Sequence, residues 1–175
     1  NLYSALRAGF PADLDATAIE TDTGLRYSWR DLERGSAMLA HDLLGRGLQP
    51  GERLVVQVDK SVEALMLYLA ALRAGLVYVP LNPAYTDAEV EHFLRDAEPA
   101  AVVCAPTRFG RLSALAFAAG TRVVYTLGAD RSGTLLERAA HRPDEHEPAA
   151  VGLQALASII YTSGTTGRSK GAMLT

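Results

Sequence analysis

From Gly51 onward, short apolar runs alternate with helix-like segments, and this alternation limits the possible folds of the chain more than any other feature. The strand-like runs are Leu54–Val58, Leu76–Pro80, Ala101–Ala105, Val123–Leu127 and Leu156–Tyr161. Parallel neighbours in a sheet need a crossover connection, usually a helix, so strands that alternate with helices favour a parallel arrangement. We therefore predict an α/β fold with three layers, in which a mostly parallel sheet lies between two layers of helices.

The helix signals between these runs agree with that architecture. Ser61–Arg73 is apolar nearly all round, which predicts a helix that is buried on more than one side. Thr86 and Glu89 form a capping box that opens the next helix, and Pro99 stops it. Further helices are predicted around Leu112–Ala119 and over Leu135–Ala140. Ahead of Gly51, we predict a helix over Asn1–Ala8, a hairpin of Ala18–Glu20 with Leu25–Tyr27, and a second helix opened by Ser28 and Asp31.

Composition excludes several classes of protein. The 175-residue chain has a formal net charge of −3, which argues against a nucleic-acid-binding body with a basic stripe. The longest apolar stretch, Ala64–Ala74, is too short to span a bilayer as a helix, so we expect no transmembrane segment. The single cysteine, Cys104, rules out an internal disulfide and favours the cytoplasm. Its apolar neighbours predict a buried structural thiol.

The segment that follows the last strand-like run has the composition of an anion-binding loop. Residues 161–171 read Tyr-Thr-Ser-Gly-Thr-Thr-Gly-Arg-Ser-Lys-Gly. Glycines let backbone N–H groups approach a phosphate, hydroxyls donate further hydrogen bonds, and lysine adds positive charge. The glycine spacing is neither that of a Walker P-loop nor that of a dinucleotide-binding loop. A flexible linker stays the alternative, but the position after a strand and the lysine favour phosphate binding. The apolar residues after Gly171 predict a returning strand rather than a helix.

Three motifs in order resemble those of the acyl-adenylate-forming, or AMP-binding, enzymes. Tyr161–Lys170 resembles their phosphate-binding signature, Leu25–Leu32 their early "L-T-Y-x-E-L" segment, and Leu72–Asn82 their "L-K-A-G-x-A-Y-V-P-L-N" segment. The resemblance covers essentially the whole chain. It implies that residues 1–175 are the first part of the large, Rossmann-like N-terminal domain of such an enzyme, with the rest of that domain and a small C-terminal domain absent.

The resemblance also implies an activity and a set of binding residues. Family members activate a carboxylic acid with ATP and Mg²⁺ to give acyl-AMP and pyrophosphate, and acyl-CoA synthetases then transfer the acyl group to coenzyme A. The residues implied to hold the ATP phosphates are Thr162, Ser163, Gly164, Thr165, Thr166, Gly167 and Lys170. Of these, Lys170, Thr165 and Thr166 are the candidate catalytic residues. The family's adenine, metal and C-terminal-domain residues follow this loop, so we expect this chain to be inactive alone, and we predict no metal ligand within it.

Within the family, the finer resemblance is to malonyl-CoA synthetases. It rests on Arg168-Ser169-Lys170, where most acyl-CoA synthetases carry proline before the lysine, and on Leu81–Thr86 and Asp59–Ser61. The expected substrates are therefore ATP, malonate or a related small dicarboxylate, and coenzyme A. A ligase for medium- or long-chain fatty acids, another adenylating enzyme and a non-catalytic nucleotide-binding or interaction module stay open as alternatives.

Other polar residues are given structural interpretations. The residues from His141 to Glu147 could suggest a metal site, but their spacing fits no standard one, and we predict that Arg142–Gly152 is a solvated surface connection. His41 and His92 are predicted to be isolated surface side chains. Because the chain ends just beyond the loop, we expect it to expose surface that a complete domain buries, and to self-associate.

Overall fold

The computed structural model describes residues 1–162 and 169–175. In chain order the elements are α1 (Leu2–Arg7), β1 (Thr17–Glu20), β2 (Arg26–Ser28), α2 (Trp29–Gly45), β3 (Arg53–Gln57), α3 (Val62–Arg73), β4 (Val77–Pro80), α4 (Asp87–Ala97), β5 (Ala101–Cys104), a 3₁₀ turn (Pro106–Arg108), α5 (Phe109–Ala118), β6 (Val123–Thr126), α6 (Thr134–Ala139), β7 (Ser158–Thr162) and β8 (Lys170–Leu174). The predicted elements are thus present, with bounds shifted by a few residues at most.

The main sheet has the order β6-β5-β3-β4-β7-β8. Every neighbouring pair from β6 to β7 is parallel, and β8 returns antiparallel to β7. The short strands β1 and β2 form the predicted antiparallel hairpin as a separate sheet. The mostly parallel α/β fold is therefore confirmed, as is the returning strand after Gly171.

Helices cover both faces of the sheet, which explains why the central strands are apolar on both sides. On β3, Leu54 and Val56 pack into a core formed with α2, α3 and α6, whereas Val55 packs into a second core formed with α4 and α5. β5 alternates in the same way. Since successive side chains of a strand point to opposite faces, a parallel strand between two helical layers must be apolar at consecutive positions.

The helix starts follow the sequence signals closely. Thr86 accepts from the backbone N–H of Glu89, and the Glu89 carboxylate accepts from the backbone N–H of Thr86, which completes the predicted capping box of α4. Ser28 and Asp31 do the same for α2. Helix α3 is buried along most of its length and packs on α1, α2 and β4, as its all-round apolar sequence predicts.

The connection between α6 and β7 lies at the surface as predicted, with Pro143, Glu145 and Glu147 exposed. The sequence did not predict that its residues 142–149, which we call the tethered segment, are also bound to the helical layer. Arg142 donates two hydrogen bonds to the fully buried carboxylate of Asp42, and the backbone N–H of Ala149 donates to the carbonyl oxygen of Arg73. Buried backbone and carboxylate groups need partners, and the polar residues of this connection supply them.

The prediction that His41 is an isolated surface side chain is wrong. His92 is exposed as predicted. The His41 side chain is half-buried, its Nε2 lies 2.7 Å from the carbonyl oxygen of Glu145, and its ring meets that of His146 edge-on at 4.7 Å. Periodicity along α2 alone could not show that a segment about a hundred residues later would cover this position. In the described part of the chain, no helix is both long enough and apolar enough to cross a membrane.

Candidate functional site

The two described members of the predicted phosphate-binding set, Thr162 and Lys170, lie at the carboxyl edge of the parallel sheet. Strand β7 is parallel to β4 and ends at Thr162, and β8 begins at Lys170. The carboxyl edge of an open α/β sheet is where such folds bind ligands. The predicted members Ser163, Gly164, Thr165, Thr166 and Gly167 lie outside the described residues.

The structure brings the two described members of the site together. Thr162 and Lys170 are directly opposed in the antiparallel register of β7 and β8. Opposed residues point to the same face, with Cβ atoms about 4.5–5.5 Å apart. Both residues are exposed, and no ion pair to Lys170 forms within residues 1–162 and 169–175. The hydroxyl of Thr162 and the ammonium group of Lys170 can therefore contact one anion on this face.

The other face of the same strand pair is fixed to helix α4. The Tyr161 side chain is buried, and its hydroxyl donates a 2.6 Å hydrogen bond to Oδ2 of Asp96. Its ring lies 4.4 Å from that of Phe93 between centroids. Burial, followed by the hydrogen bond to Asp96, raises the pKa of Tyr161, so the phenol stays protonated and remains the donor.

Gly171 allows this close packing opposite Tyr161. The two residues are paired in the register, and a Cβ placed on Gly171 would lie 2.7 Å from Cγ2 of Ile159 and 3.5 Å from Cε1 of Tyr161. The first distance is shorter than real Cβ contacts allow. Glycine is thus required here by the neighbouring strand rather than by its own backbone dihedral.

Comparison with known proteins decides the family. The family model for "AMP-binding enzyme" matches residues 8–175. The chain belongs to the AMP-binding enzyme family. The expectation drawn from the three sequence motifs is confirmed.

Curated relatives and solved structures extend this assignment. The chain is 32% identical over 161 residues to a linear gramicidin synthase of Brevibacillus parabrevis, covering 91% of this chain and 2% of that protein. It is 33% identical over 159 residues to phosphinothricin tripeptide synthetase PhsB of Streptomyces viridochromogenes, covering 91% and 13%. The apo and ATP-bound structures of MatB from Rhodopseudomonas palustris both align with a TM-score of 0.94 and 46% identity, over 100% of this chain and 34% of theirs. The chain therefore spans about a third of the MatB chain and a much smaller part of the two synthetases.

Two cavities formed by the described residues are lined by other parts of the chain. One of about 240 Å³ is lined by Gly75, Leu76 and Ala157, which precede β4 and β7 and so lie at the amino edge of the sheet. Another of about 480 Å³ lies between α1, α2 and the tethered segment. Neither is lined by Thr162 or Lys170. Thr162 and Lys170 thus lie on an exposed surface.

Cys104 lies in the sheet core, and the described residues bring no metal-binding cluster together. Cys104 is fully buried on β5, and burial raises the pKa of its thiol to about 11, so it stays protonated and unreactive at neutral pH. Within residues 1–162 and 169–175, no three or more His, Cys, Asp and Glu side chains come together as a metal ion would require.

Sequence reasoning missed Asp96 as a functional candidate. It has no motif of its own, and an isolated carboxylate on a helix is usually a solvated residue. The one available signal is its position in the last turn of α4, where a negative charge opposes the helix dipole.

Proposed function

We propose that residues 1–175 form the first part of the AMP-binding domain of an acyl-CoA synthetase, an acid–thiol ligase that consumes ATP. The 46% identity over the whole chain to MatB, which has been solved with ATP bound, carries this proposal. The rest of the domain and a small C-terminal domain would complete the enzyme.

In the proposed reaction, an oxygen of the substrate carboxylate attacks the α-phosphorus of ATP, and the bond to the β,γ-pyrophosphate breaks. This gives acyl-AMP, from which the thiol of coenzyme A then displaces AMP. Thr162 and Lys170, with Ser163 to Gly167 between them, would hold the β- and γ-phosphates. A cation and fixed donors at the leaving group stabilise the charge that develops as pyrophosphate departs.

The substrate we propose is malonate or a related small dicarboxylate. The support is the resemblance of residues 168–170, 81–86 and 59–61 to malonyl-CoA synthetases, together with the MatB match over the same residues. The single, buried Cys104 supports a reducing cytoplasmic location.

A second candidate is an adenylation domain that activates an amino acid within a peptide synthetase. The matches to the linear gramicidin synthase and to PhsB at 32% and 33% identity favour it. Both candidates share the acyl-adenylate step, so they are separated by the acid used and by the thiol acceptor.

An ATP–pyrophosphate exchange assay tests the proposal on the protein that contains this chain. Malonate or methylmalonate should stimulate exchange, and coenzyme A should then give the thioester. Exchange only with medium- or long-chain fatty acids would reject the dicarboxylate, exchange only with an amino acid would favour the second candidate, and no exchange with any acid would favour a non-catalytic nucleotide-binding module.

The chain offers a matched pair of substitutions for the same assay. Its two lysines, Lys60 and Lys170, are both exposed, and Lys60 follows β3 at the same edge of the sheet. We expect Lys170→Met to lower the exchange rate about 10²–10³-fold, the cost of removing one preorganised charge-stabilising donor, whereas Lys60→Met should leave it within about twofold. Equal losses in both variants would contradict the assignment of Lys170.

For the chain alone, we propose weak ATP binding and self-association. The described part of the phosphate site is open, and β8 exposes Met173 and Leu174 to 68% and 49%. Micromolar ATP affinity in isothermal titration would contradict the first statement, and a monomer in light scattering at high concentration would contradict the second.

A further inference from the structure

The contact between helix α4 and strand β7 lies on the reverse side of the proposed phosphate site. Tyr161 directly precedes Thr162, and its register partner Gly171 directly follows Lys170. Because side chains alternate along a strand, Tyr161 points to the α4 face while Thr162 and Lys170 point to the other. Whatever fixes Tyr161 therefore fixes the backbone that carries both residues.

On the α4 face, this end of the strand pair depends on one side chain. Gly171 has none, so Tyr161 supplies the contact to the helix through its hydroxyl on Asp96 and its ring on Phe93. Phe93 and Asp96 are three residues apart and so share one face of α4. The ring contact fixes the distance from the helix, and the hydrogen bond fixes the direction in which the phenol points.

The negative charge of Asp96 is unfavourable for its own helix. Helix α4 begins with Asp87 and Glu89, where negative charge is favourable, but Asp96 lies in the last turn, where it is unfavourable. Its carboxylate is exposed, so no burial requirement explains it either. The hydrogen bond from Tyr161 is the contact that this side chain supplies to the fold.

We propose that Asp96 is a positioning residue for the ATP site: through Tyr161 it sets the place of Thr162 and Lys170 relative to the bound phosphates. This inference rests on the proposed function. Asp96 itself touches no substrate and acts only through the tyrosine. Its loss should therefore weaken the use of ATP and leave the use of the carboxylic acid unchanged.

A double-mutant cycle in the complete enzyme tests the inference. Asp96→Ala and Tyr161→Phe should each raise the KM for ATP about tenfold, the effect of losing a hydrogen bond to a charged group. The KM for the acid should stay within about twofold. Because Asp96 acts through Tyr161, the double variant should be no worse than Tyr161→Phe alone. Asp96→Asn keeps an acceptor oxygen and should recover most of the loss.

Glu91→Ala provides the control on the same helix. Glu91 pairs with Arg95 on the surface of α4 and forms no hydrogen bond or ion pair with β7 in the described part of the chain, so this variant should keep the wild-type KM for ATP. Thermal unfolding of every variant shows whether a change in KM follows from loss of fold, and Asp96→Asn, as the milder change, keeps the test informative if Asp96→Ala unfolds.

Hydrogen exchange adds a readout that does not need turnover. Amides of residues 158–174 should exchange faster in Asp96→Ala and Tyr161→Phe than in Glu91→Ala. An active enzyme in which neither variant changes the KM for ATP or this exchange would overturn the positioning role. So would additive losses in the double variant. Absence of ATP-dependent activity in the wild type would instead overturn the proposed function.

Discussion

Two polar stretches of this chain are used in opposite ways. In the tethered segment (residues 142–149), two charged side chains pair with the helical layer: Arg142 binds the buried Asp42, and Asp144 pairs with Arg34 at the surface. At the start and end of the β7–β8 connection, Thr162 and Lys170 are exposed on one face.

The difference shows why composition alone cannot separate a structural connection from a binding loop. Both stretches are polar and interrupted by glycine or proline, and both follow apolar elements. What separates them is whether the rest of the fold presents buried groups that need partners. Asp42 is such a group, since it is fully buried and also accepts a 2.6 Å hydrogen bond from the Tyr125 hydroxyl. Among the described residues, no buried charged group has Thr162 or Lys170 as its partner.

The strongest test of this comparison is Arg142→Leu. The substitution leaves the buried carboxylate of Asp42 with the Tyr125 hydroxyl as its remaining side-chain donor. Because the Arg142 side chain is 38% exposed, we expect a loss of about 2–3 kcal/mol of unfolding free energy, less than for a fully buried pair. Arg34→Leu is the matched control, because Arg34 and Asp144 are both about half exposed, with side-chain exposures of 58% and 48%. It should cost no more than about 1 kcal/mol. Denaturant unfolding of both variants measures the difference, and equal costs would show that the segment is not held by the buried pair.

A second test concerns the β7–β8 side of the comparison. In Gly171→Ala, the added methyl group would meet Cγ2 of Ile159 at 2.7 Å, so the two strands must separate. We expect a loss of about 1–3 kcal/mol, as for other overpacked sites. Gly152→Ala is the control, because nothing lies within 4 Å of its Cβ position, and it should stay within about 0.5 kcal/mol of wild type. If chemical denaturation shows Gly171→Ala to be equally neutral, the strand pair is looser than the structure indicates.

Local signals predicted most of the fold. The Thr86–Glu89 capping box and the apolar run of Ser61–Arg73 act within a few residues of sequence, so the chain itself carries them. The apolar residues after Gly171 likewise predicted the returning strand, and three short motifs indicated the family. These predictions each depended on residues close together in the sequence, and they were confirmed.

Long-range pairings explain what the sequence did not show. In the folded chain Asp42 meets Arg142, His41 meets Glu145, and Asp96 meets Tyr161. In each case an ordinary polar residue on a helix gains its role from a partner 65 to 104 positions away. Neither periodicity nor spacing records such a pairing, and so the positioning role of Asp96 could be inferred only from the structure.

The smallest expected effect concerns the pH dependence of the tethered segment. Burial lowers the pKa of His146, and the nearby His41 and Arg73 lower it further, while the Glu147 beside it acts in the opposite direction. Its Nδ1 is buried and has no hydrogen-bond partner among the residues described. The folded protein therefore resists protonation of this ring more than the unfolded chain does, in which the pKa is about 6.5.

The sign of the effect follows from that difference. As pH falls below about 6.5, the unfolded chain binds a proton that the folded state does not, so the unfolding free energy decreases. We expect His146→Gln to show a shallower decrease than wild type between about pH 8 and pH 5. Urea unfolding at several pH values measures both slopes. If His146→Gln lost stability with falling pH as steeply as wild type, the ring would be free to take up its proton in the folded state, and the segment would be as solvated as its sequence predicts.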